Sequence, residues 1–320
     1  MKREFKELFN AFGKQRAPFF FVMDYAQKQG YAKALRGLDE DILYALDTPT
    51  LPPEGFTCKA FSWHKEPPCK EEYLEKFNAV IDEIKAGNTY MLNLTAPTKI
   101  TLSCDLKSLF YATKARFKLY FKDQFVAFSP ERFVRIENNT IHTFPMKGTM
   151  DASIPNAKAL LLADEKEKAE HVMVVDLLRN DLSRVAKNVR VEQFRYVEQI
   201  HTAEGDLLQV SSHIQGELEE NWHAHIGDIF FQLLPAGSIS GTPKRSSVEI
   251  IERIEGYERG FYTGIFGVYD GEKLDSAVLI RFIEKCEEGY VFKSGGGITL
   301  LSDGKKEYDE LCDKVYLPVF

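Results

Sequence analysis

In 70-KEEYLEKFNAVIDEIKAGN-88, apolar residues return at helical spacing (Tyr73, Phe77, Val80, Ile81, Ile84), with charges between them. The pattern predicts an amphipathic helix that stops at Gly87. The period then falls to two, and 89-TYMLNLTA-96 predicts a strand. After a helix near 105–117, short strands follow at 124–129, 133–137 and 140–144, the last two joined by a hairpin turn at Asn138–Asn139. Helices are expected across about 156–186, then strands near 206–214 and helices near 223–234 and 244–255. Strands near 261–269, 274–284 and 289–294 and a last helix near 305–315 complete the pattern. Residues 1–66 are mixed: 18-PFFFVMDY-25 has strand character and Pro52–Pro53 mark a loop. Pro67–Pro68 divide this amino-terminal portion from a main body, 67–320, and both are expected to belong to one compact unit. Strands gather in antiparallel runs and helices in blocks, which predicts an α+β fold rather than a regular βαβ alternation.

Composition narrows the classes. The chain has 320 residues, 44% hydrophobic and 28% charged, enough for a large core and too apolar for a disordered chain. The formal net charge is -7 and no Lys/Arg block stands out, so no nucleic-acid partner is expected. An acidic chain that takes an anionic metabolite must build a local positive site. Five scattered cysteines (Cys58, Cys69, Cys104, Cys286, Cys312) form no CxxC and no zinc spacing, which predicts reduced thiols in a cytoplasmic protein. The run Phe19–Met23 is too short to span a membrane and no targeting segment is visible, so no membrane association is expected.

Two predicted helices share a pattern: 167-EKAEH-171 and 307-EYDEL-311 each place two glutamates three apart, on one helix face. Such faces are either solvated or, brought together, offer four carboxylates to one hard cation. The stretch 294-SGGGI-298 is either a flexible turn after a strand or a place where backbone amides meet an anion. The loop 235-PAGSISGTPK-244 opens a helix and has the same two readings. Arg281, in the apolar run 277-AVLIRF-282, either pairs with a buried acid or meets an anionic ligand. Lys147, in 145-PMKGT-149, is either an exposed turn lysine or a shielded amine whose preference for charge is reduced, and so a nucleophile near neutral pH. Glu131 follows Pro130 at the end of a strand, one hairpin earlier, and adjacent antiparallel strands would bring it near Lys147 as an acid/amine pair.

Taken in order, 128-FSPERF-133, 145-PMKGT-149, 165-EKEKAEHVMVVDLLRNDLSR-184, 235-PAGSISGTPK-244, 259-RGFYTGIFG-267, 277-AVLIRF-282, 294-SGGGI-298 and 307-EYDELCDK-314 resemble the chorismate-utilising enzymes. The resemblance covers roughly 128–314, and the helix and strand at 70–96 fit it as well. It implies a two-lobed α/β sandwich of two large, mainly antiparallel sheets with helices outside and the active site between the sheets. It implies that chorismate is bound through Mg²⁺ on its ring carboxylate. Glu170 and Glu310 match direct metal ligands, with Glu167 and Glu307 holding the metal's waters. Tyr262, Arg281, Lys314 and the amides of Gly295, Gly296 and Gly297 match the carboxylate-binding set, and Ser238 matches a further pocket position.

Members differ at position 147. Anthranilate synthases carry alanine there, whereas a lysine resembles the aminating branch, aminodeoxychorismate synthase component I. In that branch the lysine attacks C2 of chorismate, Glu131 acts as general acid for the departing C4 hydroxyl, and ammonia enters at C4. Ammonia is then expected from a separate glutamine amidotransferase subunit, and a separate lyase would form p-aminobenzoate, the folate precursor. Water-adding relatives carry a lysine where this chain has Met91, and a thioether cannot serve as a base. Two further features depart from the pattern: Met91 also replaces the glutamine of aminating members, and Gln209 stands where relatives often carry histidine. The amino-terminal lobe is short and lacks a Leu-Leu-Glu-Ser segment, so feedback by tryptophan is not expected. The alternatives are anthranilate synthase component I and a non-catalytic chorismate-binding homologue.

Overall fold

A computed structural model describes residues 2–50, 52–54, 56, 61–202 and 205–317. The run Phe19–Met23 forms a strand with all five residues buried. Such a run suits a strand covered on both faces. Phe19, Phe21 and Met23 pack with Phe9 of the helix Lys2–Lys14 and Phe230 of the helix Ile226–Leu233. Phe20 and Val22 turn the other way, onto Phe117, Leu119, Phe125 and Phe282. The first layer is a sheet covered by helices; the second is the apolar filling between two sheets.

The first sheet is nine-stranded and the second eight-stranded. In the first, Phe19–Met23 lies between Gly30–Ala34 and Ile265–Tyr269, followed by Leu274–Val278 and Arg132–Glu137. Thr140–Thr143 and Met146–Asp151 then run end to end along the long strand Gly205–Glu217, with Thr143 opposite Ile214 and Met146 opposite Ser211. In the second sheet the central pair is Met91–Leu102 and Gly289–Thr299, flanked by Phe282–Cys286, Phe125–Ser129, Phe117–Phe121 and Ile42–Leu46. The first 66 residues thus place strands in both sheets. Among the described residues all pairings are antiparallel, and the expected α+β sandwich of two large sheets is the observed architecture.

Several local readings hold. The helix Lys70–Lys85 buries Tyr73, Phe77, Val80 and Ile84 and ends before Gly87, whose φ of +77° is left-handed. Asn138 and Asn139 both have positive φ (50° and 57°), as a two-residue hairpin turn demands. Others differ. The span 156–186 is two helices, Ala157–Ala163 and Glu165–Leu182, because Asp164 caps the second through the Glu167 amide at 2.9 Å. The helix Lys2–Lys14 and the long strand Lys187–Thr202 were not anticipated. Arg281 is not inside a strand: it lies between Leu274–Val278 and Phe282–Cys286 with φ +52°. Among the described residues no helix is long and apolar enough to cross a membrane. Cys69, Cys104, Cys286 and Cys312 form no disulfide; Cys58 lies outside the described residues.

Candidate active site

The two acidic helices, the strand carrying Lys147 and the paired strands of the second sheet surround a cavity of about 460 Å³. Every site residue anticipated above lines it: Lys147, Glu131, Ser238, Tyr262, Arg281, Gly295–Gly297, Lys314 and the glutamates 167, 170, 307 and 310.

Lys147 reaches the cavity through a backbone irregularity. The register of its strand slips between Met146 and Thr149, and Gly148 takes φ +80°. An extra residue in an antiparallel strand bends it and re-aims a side chain, and glycine accepts the left-handed backbone without strain. Space is tight there as well, since a Cβ on Gly148 would stand 3.2 Å from Leu161 Cδ1 and 3.4 Å from Glu167 Oε2, and the leucine would have to give. The ammonium of Lys147 donates to Glu170 Oε2 at 2.9 Å, and the side chain is 27% exposed, into the cavity. The depressed amine expected from shielding is not found. Burial pulls its pKa down, but Glu170, with Glu167 and Glu310 behind it, holds it above the ordinary lysine value. The attraction of several carboxylates outweighs the loss of water.

Glu131 sits just ahead of the strand Arg132–Glu137. In the hairpin Arg135 lies opposite His142, and four residues outward from each are Glu131 and Met146. The register therefore carries Glu131 toward the Lys147 end of the partner strand. Burial raises the Glu131 pKa, opposed by a hydrogen bond from Ser238 and the charges of Lys147 and Arg281. The Ser238 hydroxyl donates to Glu131 Oε1 in a short contact.

The triglycine is a strand, not a turn. Gly295, Gly296 and Gly297 lie opposite Thr95, Leu94 and Asn93, inside Gly289–Thr299. The neighbour on the other side stops pairing at Lys293, which leaves that edge of the glycines toward the cavity. A Cβ on Gly295 would collide with Leu94 O at 2.6 Å. On Gly297 it would stand 3.5 Å from Lys147 Nζ and 3.9 Å from Met91 Sδ. Lys314 Nζ donates to Gly295 O at 2.9 Å and pairs with Glu310 Oε1 at 2.6 Å. Burial lowers its pKa and Glu310 opposes this. Tyr262 is buried in the wall, and burial raises its phenol pKa.

Sequence reasoning passed over Asn93 and Lys293, which also line the cavity. The available signal was an amide between two leucines in 92-LNL-94 and a lysine directly before the serine and glycines of 293-KSGGG-297. Asn93 Oδ1 and Arg281 Nε are buried without a hydrogen-bond partner. An unpaired buried polar atom is costly, so one acceptor and one donor on this wall suit a ligand that satisfies both.

The wall carries five carboxylates (Glu131, Glu167, Glu170, Glu307, Glu310) against four cations (Lys147, Arg281, Lys293, Lys314). With Glu131 protonated, as burial favours, four carboxylates face four cations with no positive excess, so an anionic ligand would leave the site negative unless a further cation entered with it. Among the described residues no three acidic or imidazole groups converge into a ready-made metal site, and Glu170 and Glu310 are turned onto the two lysines. Yet a Cβ on Gly296 would lie 3.4 Å from Glu307 Oε2 and 3.9 Å from Glu310 Oε1, so glycine leaves a hollow before these oxygens. Carboxylate oxygens around a hollow fit a hard divalent cation that keeps waters and a substrate oxyanion.

This chain belongs to the chorismate binding enzyme family, whose description matches residues 17–319. A PabA-like protein of Pasteurella multocida is 49% identical over 322 residues, covering 97% of each chain. Aminodeoxychorismate synthase component 1 of Escherichia coli is 32% identical over 279 residues, 82% of this chain and 60% of that protein. The fold is shared with the menaquinone-specific isochorismate synthase of Escherichia coli, with a TM-score of 0.72 at 16% identity over 98% of this chain and 80% of that one. The chain is thus a chorismate-utilising enzyme by family.

Proposed function

We propose that this protein aminates chorismate at C4 to give 4-amino-4-deoxychorismate, the reaction of aminodeoxychorismate synthase component I, with ammonia from a partner glutamine amidotransferase. The observation that carries this reading is that Lys147 and Glu131, an amine and a buried acid, face one cavity with the anion-binding groups. In the proposed course Arg281, Lys314, Tyr262 and the glycine amides hold the ring carboxylate. Lys147, once neutral, forms a bond from Nζ to C2; both ring double bonds shift, C1=C2 to C1=C6 and C5=C6 to C4=C5, and the C4–O bond breaks. Glu131 gives its proton to the departing hydroxyl, which leaves as water. Ammonia then bonds to C4, both double bonds shift back, the C2–Nζ bond breaks, and the added nitrogen loses a proton. Ser238 orients the acid. Glu170 and Glu310, with Glu167 and Glu307 beside them, would hold Mg²⁺, which when bound would supply positive charge to anchor the ring carboxylate. Met91 offers no base for activating water near the lysine, which favours amination over hydration.

The test is product analysis from chorismate, Mg²⁺ and ammonium. p-Aminobenzoate formed only when aminodeoxychorismate lyase is added supports the reading. Anthranilate with pyruvate, and no need for the lyase, overturns it.

A further inference from the structure

Arg259 opens the turn that carries Tyr262, yet it lines no part of the cavity and is itself buried. Its five N–H groups are all used. Nε and Nη2 donate to the two oxygens of Glu255 at 2.8 and 2.7 Å. Nη2 also donates to Asn93 O at 2.8 Å. Nη1 donates to Ile239 O at 2.8 Å and to Thr263 Oγ1 at 3.3 Å. Glu255, equally buried, accepts the Thr95 amide at 2.8 Å and the Thr95 hydroxyl at 2.7 Å. The carbonyl of Arg259 accepts from Lys293 Nζ at 3.0 Å.

These bonds end on segments that each carry a cavity residue: the turn of Ser238, the strand of Met91 and Asn93, the turn of Tyr262, and Lys293. A buried ion pair is weak evidence for stability, because well-packed apolar residues often do as well. What an apolar pair cannot supply is five directed bonds in a fixed plane. We infer that Arg259 and Glu255 form a positioning pair that holds the Ser238 turn in register with the Asn93 strand, and so aims the Ser238–Glu131 acid at the substrate. This rests on the reading of Glu131 as general acid. Of the groups assigned to the ring carboxylate, Arg281, Lys314 and the glycines receive none of these bonds, and the Tyr262 turn receives only the longest of them, to Thr263 Oγ1 at 3.3 Å, so loss of the pair should act on turnover more than on affinity.

The experiment uses the full chain with Arg259→Lys, which keeps the charge and loses the fork, and Glu255→Gln, which keeps the shape and loses the charge. Lys118→Met is the control: Lys118 is also buried, but it donates to Phe110 O and Thr113 O away from the cavity. Two readouts are taken below the unfolding range: amide hydrogen exchange at 237–240 and 93–95, and kcat and KM for chorismate with ammonium. The expected result is faster exchange in both segments and a roughly 10- to 100-fold fall in kcat, with KM changed by less than about threefold, and neither effect in the control. The exchange readout needs no turnover, so a wild-type protein that fails to aminate defeats the functional reading while exchange still decides the positioning role. The inference is overturned if a folded Arg259→Lys or Glu255→Gln protein keeps wild-type exchange at 237–240, or loses no more kcat than the control.

Discussion

The hydroxyl of Ser238 donates to the carboxylate of Glu131, joining residues more than a hundred positions apart at one wall of the cavity. This bond favours the charged carboxylate, while burial favours the neutral acid and prevails. A general acid must be protonated, so turnover falls as pH rises through its pKa. Ser238→Ala removes the opposing bond and raises the Glu131 pKa further. The descending limb of the kcat–pH profile should therefore move to higher pH, and a limb that moves lower would contradict the role. Glu131→Gln should reduce kcat by roughly 10²- to 10⁴-fold.

Lys147 and Glu170 are 2.9 Å apart, and the surrounding carboxylates hold the ammonium above its ordinary pKa. In protein free of divalent cations the amine should thus react slowly with acylating or arylating reagents near neutral pH. Glu170→Gln removes the largest of the carboxylate contributions, lowers the lysine pKa, and should speed labelling of Lys147 at pH 7. Mg²⁺ added to the wild type should act in the same direction, because a cation at Glu170 competes with the lysine for the carboxylate. Competitive labelling read by peptide mass spectrometry decides this. Equal or slower labelling in Glu170→Gln would show that the carboxylate does not control the amine.

The three glycines opposite 93–95 predict two distinct failures. A Cβ at Gly295 would stand 2.6 Å from a backbone oxygen, which cannot withdraw. Gly295→Ala should destabilise by about 1–3 kcal/mol, seen as a lower thermal midpoint. At Gly297 the nearest atoms, Lys147 Nζ at 3.5 Å and Met91 Sδ at 3.9 Å, are in ordinary contact range. Gly297→Ala should cost less than about 1 kcal/mol but crowd the space before the amine and abolish turnover. Thermal melts beside turnover separate the two, and an active, normally stable Gly295→Ala protein would refute the steric account.

The fold was most legible where local chemistry and tertiary role agree. The helix Lys244–Glu255 ends at Gly256 in the left-handed region, and the paired asparagines of the hairpin announce their own backbone. The strand Lys187–Thr202 was missed because KNVRVEQFRYVEQIHT alternates weakly: it is an outer strand that pairs with Gly205–Glu217 and carries many exposed polar residues. Glycines at 295–297 suggest a turn by propensity, but close approach of Leu94 O explains why a strand tolerates only glycine at Gly295. The acidic pairs were legible because i, i+3 spacing in a helix puts them on one face. That the two faces meet across Lys147 and Lys314 depends on strand order over the whole chain, which no local window contains. The direction of the Lys147 pKa was misjudged for the same reason: burial is a local inference, whereas the opposing carboxylates, Glu170, Glu167 and Glu310, come from two helices outside its strand.

Lys147→Ala is the most direct measurement. With chorismate, Mg²⁺, excess ammonium and added lyase, the wild type should yield p-aminobenzoate, and the folded variant should yield none or a differently substituted product. A Lys147→Ala protein that makes p-aminobenzoate at the wild-type rate would contradict the proposed attack by this amine.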